Sequence, residues 1–371
     1  MKRFFSYSIL SFFLLLLPTG QASANNNDSI RLSLLTCAPG EEIYSLFGHT
    51  AIRYENSSQG IDVVFNYGLF SFNTPNFIFR FSLGETDYQL GATDYERFAA
   101  EYAFFGRSVW QQTLNLTDEE KTELIRLLQE NYRPENRVYR YNFFYDNCAT
   151  RPRDKIEESI AGKVIYPAEP QDGSLTFRDI VHQYCKGHPW ARFGIDLCIG
   201  SEADQPITQR QMMFAPFYLM DAFDGAQIKG DSIQRPLITA NELIVDATPE
   251  PDESDWMPTP LQCSLLLFIL TAAATIYGIR RRTGLWGIDL FLFGIAGIVG
   301  CVLAFLALFS QHPAVSSNFL LLVFHPGQLL FLPYIIYCVR KGKKCWYLTL
   351  NLAVLTLFIV LFPVIPQRFD F

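Results

Sequence analysis

The hydrophobic positions of the chain fall into three patterns. At the amino terminus, Lys2 and Arg3 precede an apolar run from Ile9 to Leu17. Ala22-Ser23-Ala24 follows, ahead of the polar Asn25-Asn26-Asn27-Asp28. A basic start, a short apolar core and a small-x-small triplet read as an export signal cut after Ala24. The run is shorter than the ~20 residues of a spanning helix, so an uncleaved anchor is the weaker reading. No cysteine stands at the cleavage point, so the signal is not that of a lipoprotein. At the other end lie four apolar stretches, Leu261–Ile279, Gly287–Phe309, Phe319–Val339 and Trp346–Ile365. Each is long enough to cross a hydrocarbon layer of ~30 Å. The third contains His325-Pro326-Gly327-Gln328 and Pro333, which weaken a regular helix and leave a re-entrant path open.

Between these ends the pattern changes repeatedly from period two to period 3.6. Ile30–Leu35 reads as a strand. Thr50–Tyr54 and Ile61–Tyr67 flank the polar Glu55-Asn56-Ser57-Ser58-Gln59-Gly60 and predict a β-hairpin. Thr93–Phe104, Asp118–Asn131, a segment from Asn147 to about Ile160, Thr176–Cys185 and Gln209–Phe223 predict helices. Thr117 with Glu120 predicts a capping box at the second of these. Thr248–Pro260 holds four prolines and four acids and reads as a linker. The expected layout is a signal at 1–24, a core at 25–160, a helical extension at 161–247, a linker at 248–260 and a membrane region at 261–366.

Charge fixes the orientation. From Leu261 onward there are eight Lys/Arg and two acids, whereas residues 1–260 carry 22 basic and 35 acidic side chains. Arg280-Arg281-Arg282 and Arg340-Lys341-Gly342-Lys343-Lys344 follow the first and third stretches, which predicts cytoplasmic loops there. The acidic domain, the loop Ser310–Asn318 and the tail after Pro366 then face the opposite side. An acidic, aromatic-rich domain without a basic stripe excludes a nucleic-acid-binding role. With 49% hydrophobic residues, a disordered chain is excluded as well.

Chemistry-bearing residues concentrate in two places. Tyr44-Ser45-Leu46-Phe47-Gly48-His49-Thr50-Ala51-Ile52-Arg53 puts a histidine at a strand start. Tyr141-Asn142-Phe143-Phe144-Tyr145-Asp146-Asn147-Cys148-Ala149-Thr150-Arg151 puts a cysteine at a helix start. Helix N-termini favour thiolates, an imidazole completes the activation, and the N–H groups there stabilise an oxyanion. If the hairpin turn centres between Ser57 and Ser58, His49 lies opposite Asn66. His49, Ala51 and Arg53 then share a face with Asp62, Val64 and Asn66. Asn66 is the first candidate to orient the imidazole and Asp62 the second. Taken alone, a cysteine is more often buried or half a disulfide, and Asp62 more often a solvated strand residue. Arg151 and Arg153 lie about one turn into the cysteine helix, where they either hold a phosphate or are simply exposed. The outer loop, with His312 and Asn318, is either a polar turn or a wall of the site against lipid head groups. His182, Cys185, His188 and Cys198 have a spacing that suits zinc. In an exported chain a Cys185–Cys198 disulfide is the simpler expectation. No metal and no cofactor is expected. Cys37 is left as an odd thiol, and Cys263, Cys301, Cys338 and Cys345 lie in or beside the apolar stretches.

A histidine at a strand start, then a cysteine at a later helix start, resembles circularly permuted NlpC-type (papain-like) hydrolases and acyltransferases. Asn147-Cys148 looks like the Asn-Cys of lecithin:retinol acyltransferase-like proteins. More closely, Phe47-Gly48-His49-Thr50-Ala51-Ile52-Arg53, Asn66-Tyr67-Gly68 and Asp146-Asn147-Cys148-Ala149-Thr150-Arg151 resemble the Lnb family of bacterial lipoprotein N-acyltransferases. The resemblance implies an α+β fold: a permuted papain-like domain in the periplasm, followed by an all-α domain of four transmembrane helices in the inner membrane. It implies that Cys148, with His49 as base, takes an acyl chain from a membrane phospholipid. The acyl chain then passes to the α-amine of a diacylglyceryl-cysteine lipoprotein. Tyr44, Arg151, Arg153, His312 and Asn318 are the expected substrate contacts. Many permuted relatives carry a second histidine where Asp62 or Asn66 stands here, which leaves the third catalytic member open. Two rivals stay in view. One is a membrane-tethered cysteine hydrolase (phospholipase, thioesterase or amidase), and the other a non-catalytic envelope assembly factor.

Overall fold

In this computed structural model, which describes residues 29–73, 75–230, 234–247 and 257–369, the alternating segments become strands of one antiparallel sheet. The export signal and most of the linker lie outside the described residues. In chain order the core begins with β1 (Ile30–Cys37), β2 (His49–Asn56), β3 (Ile61–Leu69), α1 (Phe77–Leu83) and β4 (Asp87–Asp94). It continues through α2 (Tyr95–Phe104), β5 (Val109–Leu114), α3 (Asp118–Tyr132), β6 (Val138–Arg140) and α4 (Thr150–Ser159). The extension holds β7 (Lys163–Ile165), α5 (Phe177–Tyr184), α6 (Pro189–Cys198), α7 (Gln209–Met212), α8 (Pro216–Asp224), β8 (Gln227–Lys229), β9 (Gln234–Pro236) and β10 (Ile238–Val245). The main sheet has the order β10-β5-β1-β2-β3-β4-β6, and β7-β8-β9 form a small second sheet. The extension is therefore not separate: its last strand pairs with β5 at the edge of the main sheet.

Both faces of the sheet are covered, because β1, β2 and β3 are apolar on both. Leu32, Leu34, Ile52, Phe65 and Tyr67 pack with Leu124 and Leu128 of α3, Ile156 of α4, and Leu219 and Phe223 of α8. On the other face Leu35, Cys37, Ala51 and Val64 meet Phe98 of α2. The capping box at Thr117 forms as predicted, with the Glu120 carboxylate accepting from the Thr117 N–H at 2.8 Å. The single helix expected over Gln209–Phe223 is two helices. Pro216 begins the second and has no N–H with which to continue the first. The extension has its own core, in which Phe177, Ile180, Val181 and Phe214 enclose Leu46, Phe47 and Phe144. The two chemistry-bearing segments are thereby held from behind.

The carboxyl-terminal region is helical. Helices α9 (Pro260–Arg281), α10 (Trp286–Phe309) and α13 (Trp346–Leu361, extended by a 3-10 turn to Val364) are long and apolar enough to cross a membrane. The third apolar stretch is broken into a 3-10 turn at Phe319–Leu322, α11 (Gly327–Leu330) and α12 (Leu332–Lys341). Pro326 and Pro333 stand at the starts of these helices, where a missing N–H costs least. The broken stretch still runs antiparallel along α10. A Cβ on Gly300 would lie 2.4 Å from the His325 nitrogen, one on Gly297 2.5 Å from Leu329, and one on Gly284 2.8 Å from Val339.

Candidate active site

The β2–β3 hairpin sets the first half of the site. Its register runs from Asn56–Ile61 to Ala51–Asn66, so the turn is Ser57–Gly60, shifted by two residues from the expected pairing. A shift of two preserves the faces. Asn66 therefore still points to the side of His49, now as its diagonal neighbour. The His49 Nε2 lies 3.3 Å from Asn66 Oδ1. An amide oxygen only accepts, so this contact suits the Nε2–H tautomer, in which Nδ1 keeps its lone pair. The turn before His49 needs Gly48. Its φ is +76°, and a Cβ there would sit 2.5 Å from the Cys37 carbonyl oxygen.

Asn147 builds the second half. Its Oδ1 accepts from the N–H groups of Ala149 at 2.8 Å and Thr150 at 3.0 Å. Its Nδ2 donates to the carbonyls of Phe143 and Phe214 at 2.8 and 2.9 Å. Asn147 thus caps the turn leading into α4 and pins that turn to the extension. Cys148 follows immediately. Its Cβ lies 3.5 Å from the position a Cβ on Gly68 would take, and Gly68 has a φ of +91°. β3 is irregular between Asn66 and Leu69 there.

Burial dominates the electrostatics. It pushes the Cys148 thiol up to about 11, while the backbone N–H groups of Thr50 and of Cys148 itself point at the sulfur and oppose that rise. Burial also lowers the His49 imidazolium to about 4. The Asn66 contact opposes this, and the positive charge of Arg107 adds to it. Burial thus favours the neutral thiol and the neutral imidazole. The Thr50 amide, one residue after His49, is what ties the sulfur to the start of β2. Cys37, the β1 partner of His49, is buried and held up at about 12 by burial.

Three tyrosines that are not among the expected site residues stand beside Cys148. Tyr88, Tyr139 and Tyr141 are each raised by burial first and by the neighbouring Cys148 second. The Tyr139 hydroxyl is buried and has no hydrogen-bond partner among the described residues. It lies 3.9 Å from the same Gly68 Cβ position that faces Cys148. The alternation Tyr139-Arg140-Tyr141 just ahead of the cysteine motif was the available signal, since it places both rings on one face of a strand.

Other expected residues have different work. Asp62 does not orient His49: both its carboxylate oxygens accept from Arg53, at 2.8 and 2.7 Å, and Arg53 also donates to Gln111. Arg151 is held by Asp146 at 2.6 and 2.8 Å and lies over the Tyr139 ring at 3.6 Å. Arg153 is buried, binding Asp154 and the Arg210 carbonyl. It therefore holds α4 to α7 rather than facing a phosphate. Tyr44 is exposed, with Phe70 and Phe72 edge-on at 6.0 Å. His312 Nε2 donates to the Phe81 carbonyl at 3.0 Å. Asn318 is buried and donates to the Leu197 carbonyl at 2.7 Å, so the outer loop is a joint between domain and membrane region. His182 binds Asp196 at 2.9 Å. The expected Cys185–Cys198 disulfide is not formed; both are thiols.

Comparison with known proteins adds the lineage. No curated protein and no solved structure matches. Among family models, the Lnb N-terminal periplasmic domain matches residues 20–182, and the Lnb transmembrane domain matches residues 252–371. Both halves of one family's architecture are present in the order the fold shows, an α+β domain and then a helical membrane region. This is a membrane protein with a periplasmic, enzyme-like domain, and the chain belongs to the Lnb family.

Proposed function

We propose that the protein is a cysteine-dependent lipoprotein N-acyltransferase of the inner membrane. It moves an acyl chain from a phospholipid, through a thioester on Cys148, to the α-amine of a diacylglyceryl-cysteine lipoprotein. The observation that carries this reading is the corner formed by Cys148, the Thr50 amide and the His49–Asn66 pair. As the sulfur attacks the ester carbonyl, Nδ1 of His49 takes the thiol proton. With both groups neutral at rest, that proton moves as the C–S bond forms rather than before it. The N–H groups beside the sulfur and the unpartnered Tyr139 hydroxyl supply donors for the oxyanion. Collapse breaks the C–O bond, and the His49 imidazolium returns the proton to the departing lysophospholipid. In the second half the free α-amine attacks the thioester. His49 takes the amine proton and passes it to the leaving sulfur, which restores the thiol and leaves an amide.

The test is intact-mass analysis of the full-length protein in phospholipid micelles without lipoprotein. One acyl mass is expected on the Cys148 peptide, sensitive to neutral hydroxylamine and discharged by a diacylated amino-terminal lipopeptide. Transfer with no acyl-enzyme at any time point would count against the covalent route. Discharge only to fatty acid, with the amine ignored, would favour a hydrolase.

A further inference from the structure

Helix α1 is made of Phe77-Ile78-Phe79-Arg80-Phe81-Ser82-Leu83, and none of its residues is buried by the protein. Ile78 is 79% exposed, Phe79 56% and the preceding Phe72 62%. A contiguous aromatic patch of this kind is unfavourable in water and marks a surface covered by something apolar. Its covering is indicated by the neighbouring helix. The Phe79 ring lies 5.6 Å from Phe305, in the last turns of α10, and Phe305 in turn neighbours the exposed Phe309 at 5.8 Å. The Gln311 N–H donates to the Leu83 carbonyl at 2.9 Å, which fixes α1 at the mouth of that spanning helix. Arg80 is the one charged residue of α1. It turns back to the Glu85 carbonyl and Asp87, which leaves the outer face uncharged.

The inner end of the same patch leads to the nucleophile. Phe77 stacks on Phe70 at 5.4 Å, Phe70 meets Tyr88 at 5.0 Å, and Tyr88 stacks on Tyr141 at 4.1 Å. Tyr88, Tyr141 and Cys148 belong to the same packed cluster. We propose that α1 is seated in the outer leaflet and that this file of rings is an entrance guiding a lipid acyl chain from the bilayer to Cys148. The guiding role rests on the acyltransferase reading, whereas the membrane seat does not.

The experiment uses the full chain in phosphatidylethanolamine–phosphatidylglycerol nanodiscs. The photoreactive residue p-benzoylphenylalanine is placed at Ile78 or Phe79, or at Tyr132 on α3 as control. Irradiation is expected to give a phospholipid adduct at the first two positions and none at Tyr132. Absence of lipid adducts at both Ile78 and Phe79 would overturn the membrane seat. In parallel, acyl loading of Cys148 from bilayer phospholipid is compared with loading from a water-soluble p-nitrophenyl ester. Ile78→Asp and Phe79→Asp are expected to lower the bilayer-to-soluble ratio at least about tenfold, because a carboxylate resists hydrocarbon. An unchanged ratio would overturn the entrance. If the unsubstituted protein loads from neither donor, the acyltransferase reading fails, and lipid adducts at Ile78 still support the seat.

Discussion

Cys148 and His49 are held neutral by the same burial, and this has a measurable sign. A thiol near 11 and an imidazole near 4 bracket the neutral range. Labelling of the Cys148 peptide by iodoacetamide should therefore rise about tenfold per pH unit from pH 7 to pH 10. A plateau already reached at pH 7 would instead indicate a resting thiolate–imidazolium pair. By the same reasoning kcat/KM should be flat across neutral pH, since it reports the free groups. His49→Ala should abolish acyl loading, and Asn66→Ala should only slow it, because Asn66 acts through the imidazole. Tyr139→Phe separates chemistry from folding. Loss of one oxyanion donor should lower kcat by about 100-fold. Removal of an unpartnered buried hydroxyl should leave thermal stability unchanged or raised. Equal loss of stability and activity would make Tyr139 a core residue and no more. The positions of His49, Cys148 and Asn66 were legible in the sequence because each sits in a local pattern, a strand start, the approach to a helix and a hairpin face. Asp62 shares the face of Asn66, but it lies farther along β3 and both its oxygens are taken by the Arg53 guanidinium. The tyrosines were missed because β4 and β6 meet only through long-range pairing.

Strands and helices were legible where their signals were local. The β2–β3 hairpin and α3, with its capping box, follow the predicted segments closely. β10 was not legible: its polar alternation suits an exposed edge, and only the fold brings it beside β5. Glu120 shows how one element is tied to others. It is buried, accepts from the Thr117 N–H at 2.8 Å and the Ala161 N–H at 3.0 Å, and pairs with Arg235. Glu120→Ala leaves two donors and a cation without their acceptor, and should cost ~2–3 kcal/mol. Arg235→Ala should cost less, since that guanidinium reaches solvent. Denaturant or thermal unfolding of the detergent-solubilised protein reads both. A Glu120→Ala effect no larger than that of Arg235→Ala would mean the carboxylate contributes little beyond the ion pair.

At the scale of the whole molecule, both ends of the membrane region return to the periplasmic domain. Before α9, the Trp190 indole donates to the Pro258 carbonyl at 2.9 Å. After α13, the buried Gln367 donates to the Ile199 carbonyl at 3.2 Å and accepts from the Phe319 N–H at 2.7 Å. The Arg368 N–H donates to Asp204 at 3.1 Å, and its guanidinium meets Asp179. Two ends on one side require an even number of crossings. Three helices are long and apolar enough to span unbroken, so an even number predicts a further crossing by the broken stretch from Phe319 to Lys341. Reporter fusions at Gly284 and Gly342 should therefore behave as cytoplasmic, and one after Phe371 as periplasmic. A cytoplasmic result after Phe371 would make the broken stretch re-entrant. The joint also predicts a linkage between the two halves. Gln367→Ala removes a side chain that bridges Ile199, Asn318 and Phe319, and leaves the Phe319 N–H without its acceptor. Hydrogen exchange of the full-length protein in nanodiscs should then rise at Phe319 and across Ile199–Asp204. The sheet amides of β1 and β2 should stay protected. Unchanged exchange at Phe319 would show that Asn318 and the Gly200–Ala314 contact hold the joint without the tail.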